Sequence, residues 1–164
     1  MYIIKTGLNK NERRVIEYIL SEIVDLYSDF YITRSNIRIP LRENVEILFD
    51  CLKKGDKIVF DPDKEDGIAL VTGWSDKSDR KYVKVLTRSE EVASHLLKML
   101  NWNTFVDLYV KLKKNSKFAK VFQNNGYRFL GDRGAEILLC RKYIPRLNKE
   151  YSKDAEGDND GFNN

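Results

Sequence analysis

The chain has 164 residues, 42% of them hydrophobic and 33% charged, which is typical of one soluble globular domain with a single core. No apolar run is long enough to span a bilayer, and the first residues lack the apolar stretch of a cleavable signal, so we expect a cytoplasmic protein without membrane segments. The net charge is +4, yet the residues from Asn148 onward hold two Lys against five Asp and Glu. We therefore predict a folded domain over residues 1–147, with a net charge of +7, and a disordered acidic tail over residues 148–164.

A positive body permits an anionic partner, either a nucleotide cofactor or nucleic acid, without selecting one. Cys51 and Cys140 lie within apolar patterns and are expected to be reduced core residues. The single histidine, His95, precedes an apolar helix position, and a structural role is expected for it. Because these residues have no metal-ligand spacing, no metal site is predicted.

The first third of the chain is interpreted as a short strand and two helices. Tyr2 to Ile4 form an edge strand. Asn9, with Glu12 three residues later, predicts a capping box, and apolar residues keep helical spacing down to about Phe30. Pro40 is predicted at the first position of the second helix, and Gly55 is predicted to end it.

From Lys57 the pattern changes to β-branched and aromatic runs, namely KIVFDP, GIALVTGW and KYVKVLT, which predict three strands. A helix follows, with Thr87 as its predicted N-cap and Glu90 at the third position. The alternation of apolar and polar residues from Phe105 to Leu112 predicts another strand.

The last ordered stretch runs from Asn115 to Tyr143. Asn115 is predicted to cap a short helix, which Gly126 ends in a left-handed conformation. Strands at 127–130 and 135–141 then form a hairpin. The predicted order is β-α-α-β-β-β-α-β-α-β-β, an α+β fold with mostly antiparallel connections and one β-α-β crossover around residues 81–112.

This order, with ten residues between Asn115 and Gly126 and an aromatic Tyr127 next, resembles the GNAT family of acyl-CoA-dependent N-acetyltransferases. The resemblance covers residues 1 to about 143. It implies a mixed, mostly antiparallel central sheet that is splayed between its fourth and fifth strands, one ending near Thr87 and the other near Lys113. In the family, that gap holds the pantetheine arm of the cofactor. Since the apolar–polar alternation before Asn115 is one residue out of the family's register, a bulge is expected there.

The family's second motif has the pattern (Gln/Arg)-x-x-Gly-x-(Gly/Ala), and here Arg88 and Ala93 take its outer positions. The resemblance implies that main-chain N–H groups at this helix start bind the cofactor pyrophosphate. The residues that the resemblance places at acetyl-CoA are Val83, Val85, Arg88, Ser89, Glu91, Val92, Ala93, Asn115 and Phe122.

Two positions depart from the family pattern. Glu91 replaces the middle glycine, and with Glu90 it would repel a pyrophosphate, so the segment can also be interpreted as a well-capped helix. Phe122 stands where many family members have the tyrosine that protonates the leaving thiolate, and a phenyl ring cannot donate a proton. Tyr109 and Tyr127 carry hydroxyls, but a strand tyrosine is more often structural than catalytic. Asp107 could face the cleft as a base, and an outward solvated carboxylate fits it equally well.

Two functions remain open at this stage. The first is transfer of an acetyl group from acetyl-CoA to a primary amine on a small molecule or protein. The alternative is a catalytically inactive GNAT-fold module that binds protein or nucleic acid, which Glu91 and Phe122 favour. Five lysines at positions 111, 113, 114, 117 and 120 could contact a CoA phosphate or a nucleic-acid backbone, or could form a solvated face.

Overall fold

A computed structural model of the protein describes residues 1–23, 30–35, 37–53, 56–73 and 79–145. Its helices and strands, in chain order, are β1 (Ile3–Lys5), α1 (Lys10–Glu22), β2 (Tyr31–Arg34), β3 (Ile37–Pro40), α2 (Val45–Lys53), β4 (Lys57–Phe60), β5 (Gly67–Thr72), β6 (Lys81–Thr87), α3 (Glu90–Trp102), β7 (Leu108–Lys113), α4 (Phe118–Asn124), β8 (Arg128–Arg133) and β9 (Glu136–Arg141). The predicted acidic tail and Gly55 lie outside the described residues. Among the helices that are described, none combines the length and apolar character that a membrane crossing requires.

Seven strands form one sheet in the order β1-β4-β5-β6-β7-β9-β8, and β2 pairs with β3 in a separate hairpin. Every neighbouring pair in the main sheet is antiparallel except β6 and β7, which are parallel and are connected through α3. This arrangement confirms the predicted α+β class with a mixed, mostly antiparallel sheet and one crossover.

The parallel strands β6 and β7 separate soon after they begin. They pair only at Lys81 with Leu108 and at Tyr82 with Tyr109. Their outer neighbours remain paired past this point, since β5 pairs with β6 from Tyr82 to Thr87 and β9 pairs with β7 from Leu108 to Lys113. A wedge-shaped opening therefore widens toward the carboxyl ends of β6 and β7, which confirms the predicted splay between the fourth and fifth strands of the main sheet.

Each face of the sheet carries its own apolar core. One core joins α3 and α4 to residues such as Val83 and Val85 of β6. The other joins α1 and α2 to residues such as Leu86. Because side chains alternate along a strand, the even-numbered residues of β6 face α1 and α2. The opening thus has an α3–α4 side and an α1–α2 side.

The predicted order lacked the hairpin β2–β3, which the structure places between the first two helices. Pro40 does not begin a helix; it ends β3 opposite Tyr31, and α2 begins at Val45. Ser35, at φ 52°, takes the left-handed conformation that a tight turn between the two strands needs. Helix α1 also ends earlier than predicted, at Glu22, because the backbone of Ile23 is already extended.

The helix starts were predicted with mixed success. The capping box of α1 is confirmed, since the Asn9 side chain accepts the Glu12 N–H at 2.8 Å and the Glu12 side chain accepts the Asn9 N–H at 2.9 Å. The predicted cap of α3 was wrong, because Ser89 is the N-cap residue and Thr87 ends β6. The Thr87 hydroxyl accepts the Ser89 N–H at 3.3 Å and donates to the Asp66 carbonyl at 2.9 Å, so it joins the end of β6 to the segment before β5.

After β7 the structure has the predicted short helix and hairpin, but the helix does not have its predicted N-cap. Helix α4 begins at Phe118, whose N–H donates to the Ser116 hydroxyl at 3.2 Å, and the Asn115 cap was wrong. Gly126 has φ +92°, which confirms the left-handed helix end. The predicted bulge before Asn115 was also wrong, since β7 pairs with β9 in regular register and the shift lies in β8, between Phe129 and Gly131.

Candidate functional site

The opening between β6 and β7 provides main-chain groups that a ligand could bind. Beyond Tyr82, no strand pairs with the β7-facing edge of residues 83–87 in the described part of the chain. Backbone N–H and C=O groups need partners, so an extended ligand lying between the strands could pair with them. The side chains of Val83 and Val85 are buried on the α3–α4 side, which makes that wall apolar.

Phe122, in the position where a tyrosine was expected from the resemblance, is a core residue. Its side chain is 1% exposed, and its ring meets the edge of the Tyr127 ring with centroids 4.9 Å apart. The same core contains Ala93. Phe122 therefore packs α4 against the sheet, and its ring offers no proton on the α3–α4 side of the opening.

The start of α3 is only partly suited to an anion. Three of the N–H groups predicted to bind pyrophosphate already have acceptors within the chain: Ser89 donates to Thr87, while Val92 and Ala93 donate to Ser89. Both glutamates of the first turn, Glu90 and Glu91, are exposed. Their negative charges complement the helix dipole themselves and oppose a bound phosphate.

Two further residues predicted at the cofactor are Arg88, directly before the α3 cap, and Asn115. The Arg88 guanidinium donates to the Glu22 carbonyl at the end of α1. Asn115 is exposed in the connection between β7 and α4. Neither residue contacts the start of α3 through a described hydrogen bond, so their predicted contacts with a cofactor remain predictions.

Among the three residues predicted to transfer protons, Tyr127 lies on the opposite side of the sheet from Tyr109, whereas Asp107 and Tyr109 both lie near Lys142 and Cys140. Tyr109 lies at the narrow end of the opening, where it pairs with Tyr82 across the two strands. Tyr127 is buried on the α3–α4 side, donates to the Asn101 side chain at 2.9 Å, and has a pKa raised by burial. Asp107 precedes β7 and accepts the Tyr143 N–H at 2.8 Å. Of these candidates, Tyr109 is the one at the opening.

A repeated tripeptide lies on the α1–α2 side of the opening, and this repeat was not recognised from the sequence. Tyr-Val-Lys occurs at residues 82–84 of β6 and again at residues 109–111 of β7. The parallel register sets the two tyrosines side by side, with ring centroids 5.9 Å apart. The ammonium group of Lys111 lies 5.2 Å from the Tyr82 ring centroid. Both tyrosines and both lysines therefore face the same side of the sheet.

The hairpin β2–β3 lies across this side. The Tyr31 hydroxyl donates to the Glu136 carboxylate at 2.9 Å, and the Tyr31 ring centroid lies 4.5 Å from the Lys84 ammonium. Because Lys84 belongs to β6 and Glu136 to β9, with β7 between them, Tyr31 spans the opening. Within the hairpin, the Arg38 guanidinium of β3 lies over the Tyr31 ring of β2, 3.9 Å from the ring centroid.

Burial, together with the hydrogen bond to Glu136 and its negative charge, raises the pKa of Tyr31 to about 12. The hydroxyl therefore keeps its proton at neutral pH. We call the side chains on this side the cleft cluster, and its members are Tyr31, Arg38, Arg80, Tyr82, Lys84, Tyr109, Lys111 and Glu136. A lysine in the middle of a buried strand, repeated after Tyr-Val, was the sequence signal that could have found it.

A separate cavity of about 720 Å³ lies at the far end of the sheet. It is formed where α3 and α4 end, and its lining includes Trp102, Arg128 and Arg141. The opening between β6 and β7 widens in the opposite direction. The cavity shares no lining residue with the cleft cluster, so the two are distinct sites.

Comparisons with known proteins match the architecture. No protein-family model matches the sequence, and no curated protein matches it either. Among solved structures, an N-acetyltransferase from Staphylococcus aureus Mu50 superposes with a TM-score of 0.60 at 12% identity, covering 87% of this chain and 98% of the other.

Two further solved structures show the same likeness. The PaiA N-acetyltransferase from Thermoplasma acidophilum, in complex with coenzyme A, gives a TM-score of 0.56 at 11% identity over 87% of this chain and 99% of that one. A spermidine N-acetyltransferase chimera from Vibrio cholerae gives 0.56 at 12% identity over 93% and 98% of the two chains. At such identities the likeness establishes a shared fold.

Proposed function

We propose that this chain, which has the fold of the GNAT N-acetyltransferases, transfers an acetyl group from acetyl-CoA to a primary amine. The observation that carries the proposal is the opening beyond Tyr82 and Tyr109, where β6 and β7 stop pairing and leave an unpaired strand edge between the two faces of the sheet. Acetyl-CoA would supply an activated thioester there. A solved structure of the same fold contains coenzyme A, which supports this choice of cofactor.

The residues at the opening fit the pantetheine arm better than they fit the pyrophosphate. Main-chain groups of residues 83–87 would pair with the arm, and the buried Val83 and Val85 would exclude water from it. At the start of α3, Glu91 opposes the pyrophosphate. Lys113 and Lys117, exposed at the same end of the sheet, would provide compensating positive charge.

Proton transfer would involve residues on the α1–α2 side. An amine must lose a proton before or during its attack on a thioester, and Glu136 is the carboxylate of the cleft cluster. Glu136 would accept that proton directly or through water, while Tyr31 and Tyr109 would orient the acceptor. With Phe122 in the core, the leaving thiolate would take its proton from solvent or from the Tyr109 hydroxyl.

A second candidate function is a binding module without catalysis. Glu91 and Phe122 favour it, because each replaces a residue on which the family's chemistry depends according to the resemblance. This alternative keeps the fold and gives the positive body a protein or nucleic-acid partner.

Calorimetric titration with acetyl-CoA at moderate salt tests the proposal. We expect binding by the unmodified protein, and about two- to fivefold tighter binding by Glu91→Gly, because one opposing charge leaves the helix start. Glu90→Gly is the matched control, since it removes the same charge from the same turn at a position outside the glycine pattern. Equal gains from both variants would mean that only net charge matters.

Absence of binding at high micromolar acetyl-CoA, by the protein and by Glu91→Gly alike, would overturn the proposal and favour the binding module. Retention on a nucleic-acid column that falls steeply with added salt would then identify nucleic acid as the partner. Failure to be retained at any salt concentration would leave protein partners.

A further inference from the structure

Lys111 carries a primary amine that already lies at the narrow end of the opening. It belongs to β7, two residues beyond Tyr109, and side chains two apart on a strand share a face of the sheet. Its ammonium group lies 5.2 Å from the ring centroid of Tyr82, which belongs to β6. The Lys111 side chain therefore crosses from one strand to the other next to the point where the strands stop pairing.

Packing at this position needs a cation but does not need an amine. Lys111 is half-buried, and in the parts of the chain that the structure describes its ammonium group forms no ion pair with a carboxylate. Its described contact is with the face of the Tyr82 ring, and ring faces attract arginine as well as lysine. Lys84 differs from it, because Lys84 is 3% exposed and has further interactions within the chain.

The hairpin β2–β3 restricts access from solution to the α1–α2 side of the opening. Tyr31 lies across that side, between Lys84 and Glu136. Its neighbours Phe30 and Ile32 are 2% and 0% exposed and belong to the core that α1 and α2 share. An amine arriving from solution would have to displace this hairpin, whereas the amine of Lys111 is already on this side of the sheet.

A proton acceptor lies next to Lys111. The register of β7 with β9 pairs Lys111 with Leu138 and Lys113 with Glu136. Glu136 is therefore the diagonal neighbour of Lys111 on the same face, and Cα atoms of such neighbours are about 7–8 Å apart. This spacing allows a proton to pass between the two side chains directly or through one water.

The proposed cofactor site directs its reactive end toward Lys111. Residues 83–87 of β6 form the unpaired edge, and its Thr87 end leads into the start of α3. A cofactor with its pyrophosphate at α3 and its arm along this edge would have its thioester toward Val83, next to Tyr82. The flexible stem of Lys111 would let its amine turn from the Tyr82 ring to the acyl carbon.

We infer that Lys111 is a modification site, and that its amine accepts an acetyl group from acetyl-CoA bound to the same chain. The inference deepens the proposed function and rests on it. The Lys111 ammonium gives one proton to Glu136 or to water, and its nitrogen then forms a bond to the acyl carbon while the carbon–sulfur bond breaks. The leaving thiolate takes up a second proton from that nitrogen. The products are N-acetyl-lysine, the thiol of CoA and one released proton.

Intact-mass measurement and peptide mapping of the full chain, incubated with acetyl-CoA, test the inference. We expect a mass gain of one acetyl group, located at Lys111. Lys98 is the comparison within the same sample, because it is an exposed lysine of α3 that lines the separate cavity. Lys111 should be modified at least about tenfold faster than Lys98, since a positioned amine reacts faster than one that meets the thioester by diffusion. The rate constant should not depend on protein concentration.

Lys111→Arg should abolish this modification while it keeps a cation over the Tyr82 ring. Lys98→Arg is the matched control, and it should be modified at Lys111 as fast as the unmodified protein. Circular dichroism of both variants establishes that they fold. A further measurement involves no acetyl transfer by the protein: CoA itself should slow the labelling of Lys111 by acetic anhydride severalfold and leave the labelling of Lys98 unchanged.

Acetyl-CoA binding without preferential modification of Lys111 would overturn the inference. So would equal modification of Lys111→Arg, a rate constant that rises with protein concentration, or bound CoA that leaves the labelling of Lys111 unchanged. The proposed function is tested separately, because absence of acetyl-CoA binding in the calorimetric titration would refute the transferase and the inference together. Acetylation of an added amine such as spermidine, with Lys111 unmodified, would refute only the inference.

Discussion

Tyr31→Phe tests whether the hairpin β2–β3 is held across the opening as described. The substitution removes one hydroxyl, whose hydrogen bond to the Glu136 carboxylate is 2.9 Å long, in a residue that is 6% exposed. A hydrogen bond to a charged group contributes about 1.5–3 kcal/mol, but Glu136 is partly exposed and can recover water. We therefore expect a loss of about 1 kcal/mol in the free energy of unfolding, or about 2–4 °C in Tm for a domain of this size.

Urea unfolding at pH 7, followed by circular dichroism, measures that loss. Tyr18→Phe is the control, because Tyr18 is 51% exposed on α1. The dependence of the free energy of unfolding on pH above 10 gives a second measurement. Since the folded-state pKa of Tyr31 is raised to about 12 from an ordinary value near 10, its contribution is complete below pH 10 and is lost as pH rises through 12.

The unmodified protein should therefore lose more stability than Tyr31→Phe between pH 10 and 12. Tyr18→Phe should behave like the unmodified protein throughout. If Tyr31→Phe and Tyr18→Phe match at pH 7 and show the same alkaline slope, Tyr31 does not bond to Glu136, and the reasoning about the cleft cluster is refuted.

Three further substitutions test the framework around the opening. Tyr127→Phe removes a buried 2.9 Å hydrogen bond to Asn101 and should cost about 1–2 kcal/mol in urea unfolding; an unchanged midpoint would contradict that bond. Gly67→Ala would bring a Cβ atom to 2.8 Å from the Thr87 Cβ, so we expect a loss of about 1–3 kcal/mol, and a stabilised variant would disprove the close approach. Asp107 accepts a main-chain N–H, which holds its pKa below the usual range despite partial burial, so its stabilisation is present above about pH 4 and is lost as pH falls through the lowered pKa. The stability gap between the protein and Asp107→Ala should accordingly be constant from pH 7 to 5 and shrink at lower pH, and a gap independent of pH down to about pH 2 would contradict this.

The sequence predicted the main sheet because that sheet follows local rules. Runs of β-branched residues identified β4, β5 and β6, and Gly126 marked the end of α4 through its left-handed backbone. The splay itself came from the resemblance, since no local pattern distinguishes a strand that loses its neighbour from one that keeps it. The register that pairs Tyr82 with Tyr109 depends on tertiary structure, which a local sequence pattern does not show.

The hairpin β2–β3 was missed because Pro40 had two valid interpretations. A proline suits the first position of a helix, and it equally suits the end of an edge strand. The alternation of Ile37 and Ile39 with Arg38 indicates a strand, but it covers too few residues to outweigh the helix interpretation of Pro40. This one error also hid the α1–α2 side of the site, because Tyr31 and Arg38 belong to that hairpin.

The proton-transfer candidates could not be ranked from sequence alone. Tyr109, Tyr127 and Asp107 all occur in similar alternating or strand-flanking contexts. Their surroundings depend on which face each strand presents and on partners distant in the chain, such as Asn101 for Tyr127. Glu136 lies next to a hairpin turn and was not among the candidates. Its carboxylate belongs to the cluster because it accepts the hydroxyl of Tyr31, which is 105 residues away in the chain.

Backbone amide NMR during titration with acetyl-CoA tests most directly the claim that the opening between β6 and β7 is the cofactor site. We predict that the largest shifts fall on residues 83–87, with slower hydrogen exchange of those amides once the ligand pairs with the strand edge. Glu91→Gly should extend the shifts to the first turn of α3. Shifts confined to the residues around Arg128 and Arg141, at the separate cavity, with residues 83–87 unchanged, would contradict the account.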